Sequence, residues 1–378
     1  MERATEIALA REILDLQSSR SAFLVDDVAK SPVVAYLDEQ RFVSERDRIM
    51  RLEPQPLVHV SELSEPGDFL RRDLAGLPVL LTRDSGDTAH AFLNVCRHRG
   101  TRLVDDERGC KHRFSCPYHA WTYSNQGQLL GVPHETLGFP DMDRDAMGLT
   151  RLNCVEKHGW IWVWGSDGNL KALEDCLNDF ETDLEWLQAA RHKLVHQDVI
   201  DCAANWKIIV EGGIEAYHFK VAHRQTIAPY FLDNLSSFRS IGPHMRSVLA
   251  KRSITDLRDT PEDEWRLLDH AQVLLSVFPL NQFLVQSDHF AWIQLEPISA
   301  TTSRITLSTL VPSDRLGSEQ DLKHWRKNHE ITLATLGEDF DIAESIQAGL
   351  TSGANKELIF GRFEGALAAF NAEVERRL

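Results

Sequence analysis

Short apolar runs separated by turn signals fill the chain from Pro56 to about Trp164. Val79-Leu80-Leu81-Thr82 (just after Pro78), Ala91-Phe92-Leu93-Asn94-Val95 and Trp160-Ile161-Trp162-Val163-Trp164 are such runs, and Asn125-Gln126-Gly127 is a turn between them. Runs of this length and punctuation predict strands, hence a small all-β domain over 46–165. After Gly165 the period changes. Leu173, Cys176, Leu177, Phe180, Leu184 and Leu187 recur every three or four residues, which predicts helix over about 171–190. Lys193–Asp201 alternates like a strand, residues 205–223 predict a helix, and strand-like runs return at 245–250, 272–278, 282–296 and 303–312. The last sixty residues predict mostly helix, with Leu358, Ile359, Phe363, Leu367, Phe370 and Val374 on one face. Residues 166–378 therefore read as an α+β domain of antiparallel strands and helices. Ahead of both lies a helical segment, 1–45, whose apolar side carries Ile7, Ala10, Ile13 and Leu14.

Composition narrows the function classes. A hydrophobic content of 43% in 378 residues is too high for a disordered chain and suits two domains. The net charge of −16 argues against binding nucleic acid or an anionic membrane, since both select basic surfaces. No apolar run approaches the roughly 18 residues of a membrane span. The N-terminus lacks the uninterrupted apolar stretch of a signal peptide. Of six cysteines, Cys110, Cys154, Cys176 and Cys202 follow no framework pattern and read as reduced thiols of a cytoplasmic protein.

The other two cysteines carry chemistry. Cys96-Arg97-His98 and Cys116-Pro117-Tyr118-His119 stand seventeen residues apart. Two Cys and two His can hold a tetrahedral zinc ion or a two-iron cluster. Zinc sites usually pair Cys with Cys and His with His. Here each arm carries one of each, which suits a [2Fe-2S] cluster with both thiolates on one iron and both imidazoles on the other. A second constellation is Glu215, His218 and His223. Two imidazoles and one carboxylate on one face of Fe(II) leave positions open. The spacing of five is wide for one helical face and puts His223 where the helix ends or distorts. Glu215, three residues before His218, reads either as the carboxylate ligand or as a residue bonded to an imidazole.

The stretches Asn94–Thr101 and Cys116–Tyr123 resemble the Rieske proteins, and with Asn205-Trp206-Lys207 and Glu215…His218…His223 the chain resembles the Rieske non-heme iron oxygenases over roughly residues 40–378. The resemblance implies an N-terminal Rieske domain and a C-terminal helix-grip catalytic domain. It implies a [2Fe-2S] cluster at Cys96, His98, Cys116 and His119, and Fe(II) at His218, His223 and a distal acid. The family pattern selects Asp339 for that acid, with Glu338 and Asp341 as fallbacks. It makes Glu215 a bridge rather than a ligand, joining His218 to His119 of another subunit in a ring of three. Glu at that position is similar to the carnitine- and betaine-type monooxygenases. The chain departs from the family pattern at Ala120, often Gly, and at Gly212-Gly213, which loosens that turn of helix.

The implied activity is that of a terminal oxygenase. It takes electrons from a separate NAD(P)H-dependent reductase, with or without a ferredoxin, and uses O2 to hydroxylate or demethylate a small organic substrate. The absence of a G-x-G-x-x-G motif fits an electron donor on another polypeptide. The alternatives are a ring cis-dihydroxylating dioxygenase, a Rieske electron carrier and a zinc-stabilised scaffold. Among the remaining histidines only His289 reads as a pocket candidate, while Phe278, Phe283 and Trp292 read as core.

Overall fold

The computed structural model describes residues 1–165 and 172–378. Position 171, where the predicted helix begins, lies outside the described residues; the rest forms helices Ala172–Leu177 and Glu181–Leu187. The chain folds as two compact units, one of residues 51–175 and one of residues 1–50 with 176–378.

The first unit is built from ten strands. These are β1 (Gln55–His59), β2 (Asp68–Leu74), β3 (Leu77–Arg83), β4 (Ala89–Leu93), β5 (Arg108–Cys110), β6 (Arg113–Ser115), β7 (Thr122–Ser124), β8 (Leu129–Gly131), β9 (Asn153–Lys157) and β10 (Trp160–Trp164). They form three small antiparallel sheets, ordered β4-β3-β2-β5, β9-β10-β1 and β6-β7-β8. Alternation along a strand sends successive side chains to opposite faces. Leu80 and Phe92, paired across β3 and β4, enter the core that also holds Cys96 and Cys116. Their neighbours Val79, Leu81 and Ala91 enter the other core with Ile161 and Val163. The sheet thus separates a core that holds Cys96 and Cys116 from a second, apolar one.

In the second unit, strands β11 (His192–Cys202), β12 (Phe231–Ile241), β13 (His244–Lys251), β14 (Ala271–Val277), β15 (Asn281–Val285), β16 (Phe290–Ser299) and β17 (Thr302–Pro312) form one antiparallel sheet. Its order is β11-β17-β16-β15-β14-β13-β12. The N-terminal helix α1 (Arg3–Ser18) is part of this unit and buries Leu9, Ala10, Ile13 and Leu14. After helix α2 (Trp206–Gly213), the turns on either side of α3 (Phe219–Ala222) and the 33-residue α4 (Glu319–Thr351) supply the functional side chains described below, with α5 (Gly365–Arg377) at the end. Lys207 on α2 is fully buried against Glu45, Nζ to Oε1 at 2.6 Å, and Trp206 Nε1 donates to the same carboxylate. That buried pair ties the segment around Glu39–Glu45 to α2.

Several elements differ from the sequence expectation, among them a strand, Ala29–Pro32, inside the segment 1–45 expected to be helical. The run 282–296 is a hairpin, with Gln286–His289 forming the turn between β15 and β16. Leu358 and Ile359 lie on a short strand, Glu357–Phe360, paired with Ala29–Pro32, and helix starts only at Gly365. A backbone partner more than 300 residues away leaves no trace in local periodicity. The predicted helix over 205–223 ends at Gly213 and resumes at Phe219. Glycine weakens the helix there. A Cβ on Gly213 would sit 2.6 Å from Gln282 Oε1, so any other residue there would have to push the Gln282 side-chain amide aside.

Candidate metal centres

Two loops of the β unit present the first set of donors in the same backbone form. Cys96 N–H donates to Thr101 O at 2.8 Å and Gly100 N–H to Cys96 O at 2.9 Å; Cys116 N–H donates to Trp121 O at 2.8 Å and Ala120 N–H to Cys116 O at 2.9 Å. Each loop closes through one left-handed residue, Gly100 at φ +76° and Ala120 at φ +56°. Ala120 adopts that conformation against the preference of a residue with a Cβ. Both sulfurs are buried, and the rings of His98 and His119 stand 4.7 Å apart between centroids. Trp121 stacks on His98 at 4.9 Å, nearly parallel, and the Tyr123 hydroxyl lies 3.5 Å from Cys96 Sγ. Neither residue was singled out by spacing.

Donor chemistry supports a metal group here. Among the described residues His119 Nδ1 is a buried nitrogen with no hydrogen-bond partner. Buried polar atoms are rarely left unpaired, and a metal ion is the partner an imidazole lone pair lacks. Burial, then the neighbouring His119 and Arg99, lower the pKa of His98 and favour the neutral ring that a metal requires.

The second set converges in the other unit. His218 Nε2 and His223 Nε2 lie 3.1 Å apart, and Asp339 Oδ1 lies 3.3 Å from the first and 3.0 Å from the second. His218 precedes α3, His223 follows it, and Asp339 projects from α4. Ligand atoms at about 2.1 Å from an ion, in neighbouring octahedral positions, stand about 3.0 Å apart. The observed triangle fits that demand, and three donors on one side leave the opposite side free.

The outer nitrogens are tied back. Glu215 accepts from His218 Nδ1 through Oε1 and from Tyr217 N–H through Oε2. Glu338 Oε2 accepts from His223 Nδ1 at 2.8 Å and from the Thr226 hydroxyl at 2.6 Å. A carboxylate can only accept, so both Nδ1 atoms carry the proton and both Nε2 lone pairs point into the triangle. Burial opposes protonation of His218, but Asp339 and Glu215 outweigh it and raise its pKa to about 9. Burial likewise opposes protonation of His223, and Asp339 and Glu338 reverse the effect. Two imidazoles held basic by carboxylates take a cation readily, whether protons or a metal.

Of the sequence candidates, the structure brings together His218, His223 and Asp339, with Glu215 behind His218 across a turn rather than along a helix. Glu338 turns to the far side of His223, and Asp341 is exposed. Adjacent residues on a helix point about 100° apart, so only one of Glu338 and Asp339 can face the triangle. The pairing of Thr226 with Glu338 left no sequence signal. His289 is buried in the hairpin turn, bonded to Asp288 at 2.7 Å, and lines a cleft away from the triangle. Beside the triangle opens a cleft of about 540 Å³, lined by Glu215, His218, Asp339, Ile342, Ile346 and Phe360. Among the described residues no helix is long and apolar enough to cross a membrane.

Comparison with known proteins agrees with this geometry. Residues 53–140 match the Rieske [2Fe-2S] domain, and residues 189–378 match the ring hydroxylating alpha subunit catalytic domain. The chain is 27% identical over 360 residues to the glycine betaine monooxygenase oxygenase subunit of Pseudomonas aeruginosa strain UCBPP-PA14, covering 85% of this chain and 82% of that one. It is 26% identical over 338 residues to the carnitine monooxygenase oxygenase subunit of Acinetobacter pittii strain PHEA-2, covering 85% of each. A solved quaternary ammonium Rieske monooxygenase, described for carnitine oxidation by gut microbiota and inter-subunit electron transfer, superposes with a TM-score of 0.78 at 25% identity, covering 93% of this chain and 96% of the other. The paired Cys–His loops, the convergent His–His–Asp triangle and the two matched domains together identify the chain as a member of the Rieske non-heme iron oxygenases: an oxygenase alpha subunit with a [2Fe-2S] cluster and non-heme iron, which works with a separate reductase and O2.

Proposed function

We propose that this oxygenase acts on an N-methyl group of a small organic substrate. The observation that carries the reading is the convergent triangle of His218, His223 and Asp339, backed by Glu215 at the position where the resemblance places a bridging carboxylate. The betaine and carnitine monooxygenase subunits it resembles support the N-methyl target. Cys96, His98, Cys116 and His119 would hold the cluster; His218, His223 and Asp339 would hold Fe(II). When bound, the cluster supplies single-electron transfer and the ferrous ion supplies oxygen activation.

The net reaction is balanced by the reductase. One atom of O2 enters a C–H bond of the N-methyl group; the other leaves as water with two electrons and two protons. The hydroxymethyl amine then releases formaldehyde, its C–N bond electrons staying on nitrogen. The protein's own residues position this chemistry. Glu215 and Glu338 keep Nδ1 of each histidine protonated, so that each Nε2 stays available as a donor.

Glu215 has a second proposed role, as the link from His218 to His119 of a neighbouring copy. Exposed Ile342, Ile346 and Ile359 beside the 540 Å³ cleft support a docking face there. A head-to-tail contact of this kind closes into a ring, and three copies is the number the resemblance implies. The protein is proposed to be cytoplasmic, drawing NAD(P)H electrons through its reductase directly or by way of a ferredoxin.

The test is a single turnover of the anaerobically reduced protein, mixed with O2 and a panel of methylamines, betaines and aromatics. Formaldehyde from the N-methyl compounds is the expected product; cis-diols from the aromatics, with no formaldehyde, would overturn the reading. Glu215→Ala should keep both metal centres and lose steady-state turnover with the reductase. Full activity in that variant would remove the bridge.

A further inference from the structure

The cleft of about 540 Å³ beside the triangle is walled by acids. Glu211, Glu215, Asp339 and Glu364 line it together with His218, and among the described residues no lysine or arginine does. Three of the four carboxylates are committed at close range. Asp339 meets the two histidines, Glu215 holds His218 and the Tyr217 N–H, and Glu364 Oε2 accepts from Gly361 N–H at 2.6 Å. Glu211 is different. Its Oε1 accepts from the Tyr36 hydroxyl at 2.7 Å and from Asn371 Nδ2 at 2.8 Å, whereas among the described residues no donor meets Oε2. The residue is 6% exposed and lines the cleft, and Oε2 is not one of the buried polar atoms left unpaired. Oε2 is therefore the oxygen that faces the cleft.

The surroundings decide how this carboxyl holds a proton. Lys207, one turn earlier on α2, is bonded through Nζ to both oxygens of Glu45, at 2.6 and 2.7 Å, so Glu45 rather than Glu211 is its ion-pair partner. The other titratable groups around Glu211 are Tyr36, Glu364 and, across the cleft, Glu215, His218 and Asp339. Burial, then Glu211 itself, raise the pKa of Tyr36, so the hydroxyl keeps its proton and donates it to Oε1. Burial lifts Glu211 to about 7; the bonds from Asn371 and Tyr36 oppose that lift, and Glu364 adds to it. A carboxyl poised there can both hold and release a proton at neutral pH, as general acid catalysis requires.

We propose that Glu211 is a proton donor to this cleft during oxygen reduction, with Tyr36 and Asn371 holding the carboxylate it becomes. The net reaction above consumes two protons, and Glu211 supplies one of them. The O–H bond at Oε2 breaks, the bonding pair stays on the carboxylate, and the proton crosses the cleft to the oxygen atom that leaves as water. The electrons come from the reductase, as before, and solvent returns the proton before the next turnover. Any substrate that takes up one oxygen atom makes this demand, so the assignment does not depend on the N-methyl target; it does rest on the triangle as the iron site.

Glu211→Gln tests it, because glutamine keeps an oxygen for Tyr36 and Asn371 and carries no acidic proton. The protein used is the full chain with cluster and iron bound. An infrared pH titration follows the carbonyl stretch of protonated carboxyl groups. The parent should lose a band with a midpoint at about 7, and Glu211→Gln should lack that band. Tyr36→Phe removes a donor to the carboxylate and should move the midpoint up by roughly half to one pH unit; Glu364→Gln removes a like charge and should move it down. In a single turnover with O2, product formation by the parent should slow as the pH rises through the same midpoint. Glu211→Gln should be about a hundredfold slower at neutral pH and flat across that range, with iron still at about three per chain. A parental rate in Glu211→Gln, a slow variant that keeps the band, or a midpoint unmoved by both neighbouring substitutions overturns the proposal. The site reading fails on a different readout: a third iron retained by Asp339→Ala would relocate the metal and take this role of Glu211 with it.

Discussion

Replacing Glu338 by Ala removes the acceptor that fixes His223. The His223 side chain is only 1% exposed, so its Nδ1–H loses a partner that water cannot replace. An unpaired buried donor costs about 1–3 kcal/mol. If that cost falls on the metal-bound form, Fe(II) affinity drops roughly 5- to 150-fold. The range brackets the roughly 10- to 100-fold typical of residues that orient a metal-binding imidazole. Glu338→Gln keeps an oxygen acceptor and loses only charge, so its loss should stay below about tenfold. The assay is anaerobic equilibrium dialysis of the chain against ferrous ion, with bound iron measured per chain. The cluster's visible absorption serves as an internal count of two irons that must not change. A Glu338→Ala protein that binds its third iron as tightly as the parent would refute the positioning role. Complete loss of that iron, with Asp339→Ala unaffected, would exchange the roles of the two neighbouring acids.

Other outcomes follow from the same geometry. Asp339→Ala should lose the third iron and keep the cluster spectrum; a retained third iron in that variant moves the ligand elsewhere. Ala120→Gly should relieve the left-handed strain and stabilise the cluster-loaded protein by about 1 kcal/mol, read as a higher temperature for bleaching of the cluster absorption; an unchanged or lower temperature refutes it. His244 is buried with its pKa lowered to about 4, so between pH 6.5 and 4 the unfolded chain binds a proton that the folded chain refuses, and stability falls by about 3 kcal/mol as the pH drops through that window. Glu211, raised by burial to about 7, acts in the opposite sense over an overlapping range, so the measurement is the difference in unfolding free energy between parent and His244→Gln, and parallel profiles refute the assignment.

Much of the chemistry was legible along the chain. Cys96, His98, Cys116 and His119 stand out because each pair sits in one tight loop, where spacing and geometry are nearly the same thing. His218 and His223 were legible for a similar reason, although the helix expected to carry them breaks at Gly213. The β-rich and α+β halves followed from a change of period near Gly165. The strand Phe231–Ile241 was missed: it is an edge strand in which Asn234, Ser236, Ser237, Arg239 and Ser240 dilute the apolar alternation.

Spacing could not choose between Glu338 and Asp339, because adjacent acids on one helix look alike until the helix is rotated against its neighbours. Asp339 lies 121 positions beyond His218, a separation that only the packing of α4 closes to 3.3 Å. Burial decided the rest. It raised Glu211, lowered His244 and left His119 Nδ1 unpaired. Residue types and short-range spacing thus determined which chemistry this chain carries. Which acid joins the two histidines and which one stands behind them depend on side chains meeting across long stretches of chain. Solvent exclusion and convergence arise only in the packed fold, because they belong to surroundings rather than to any residue.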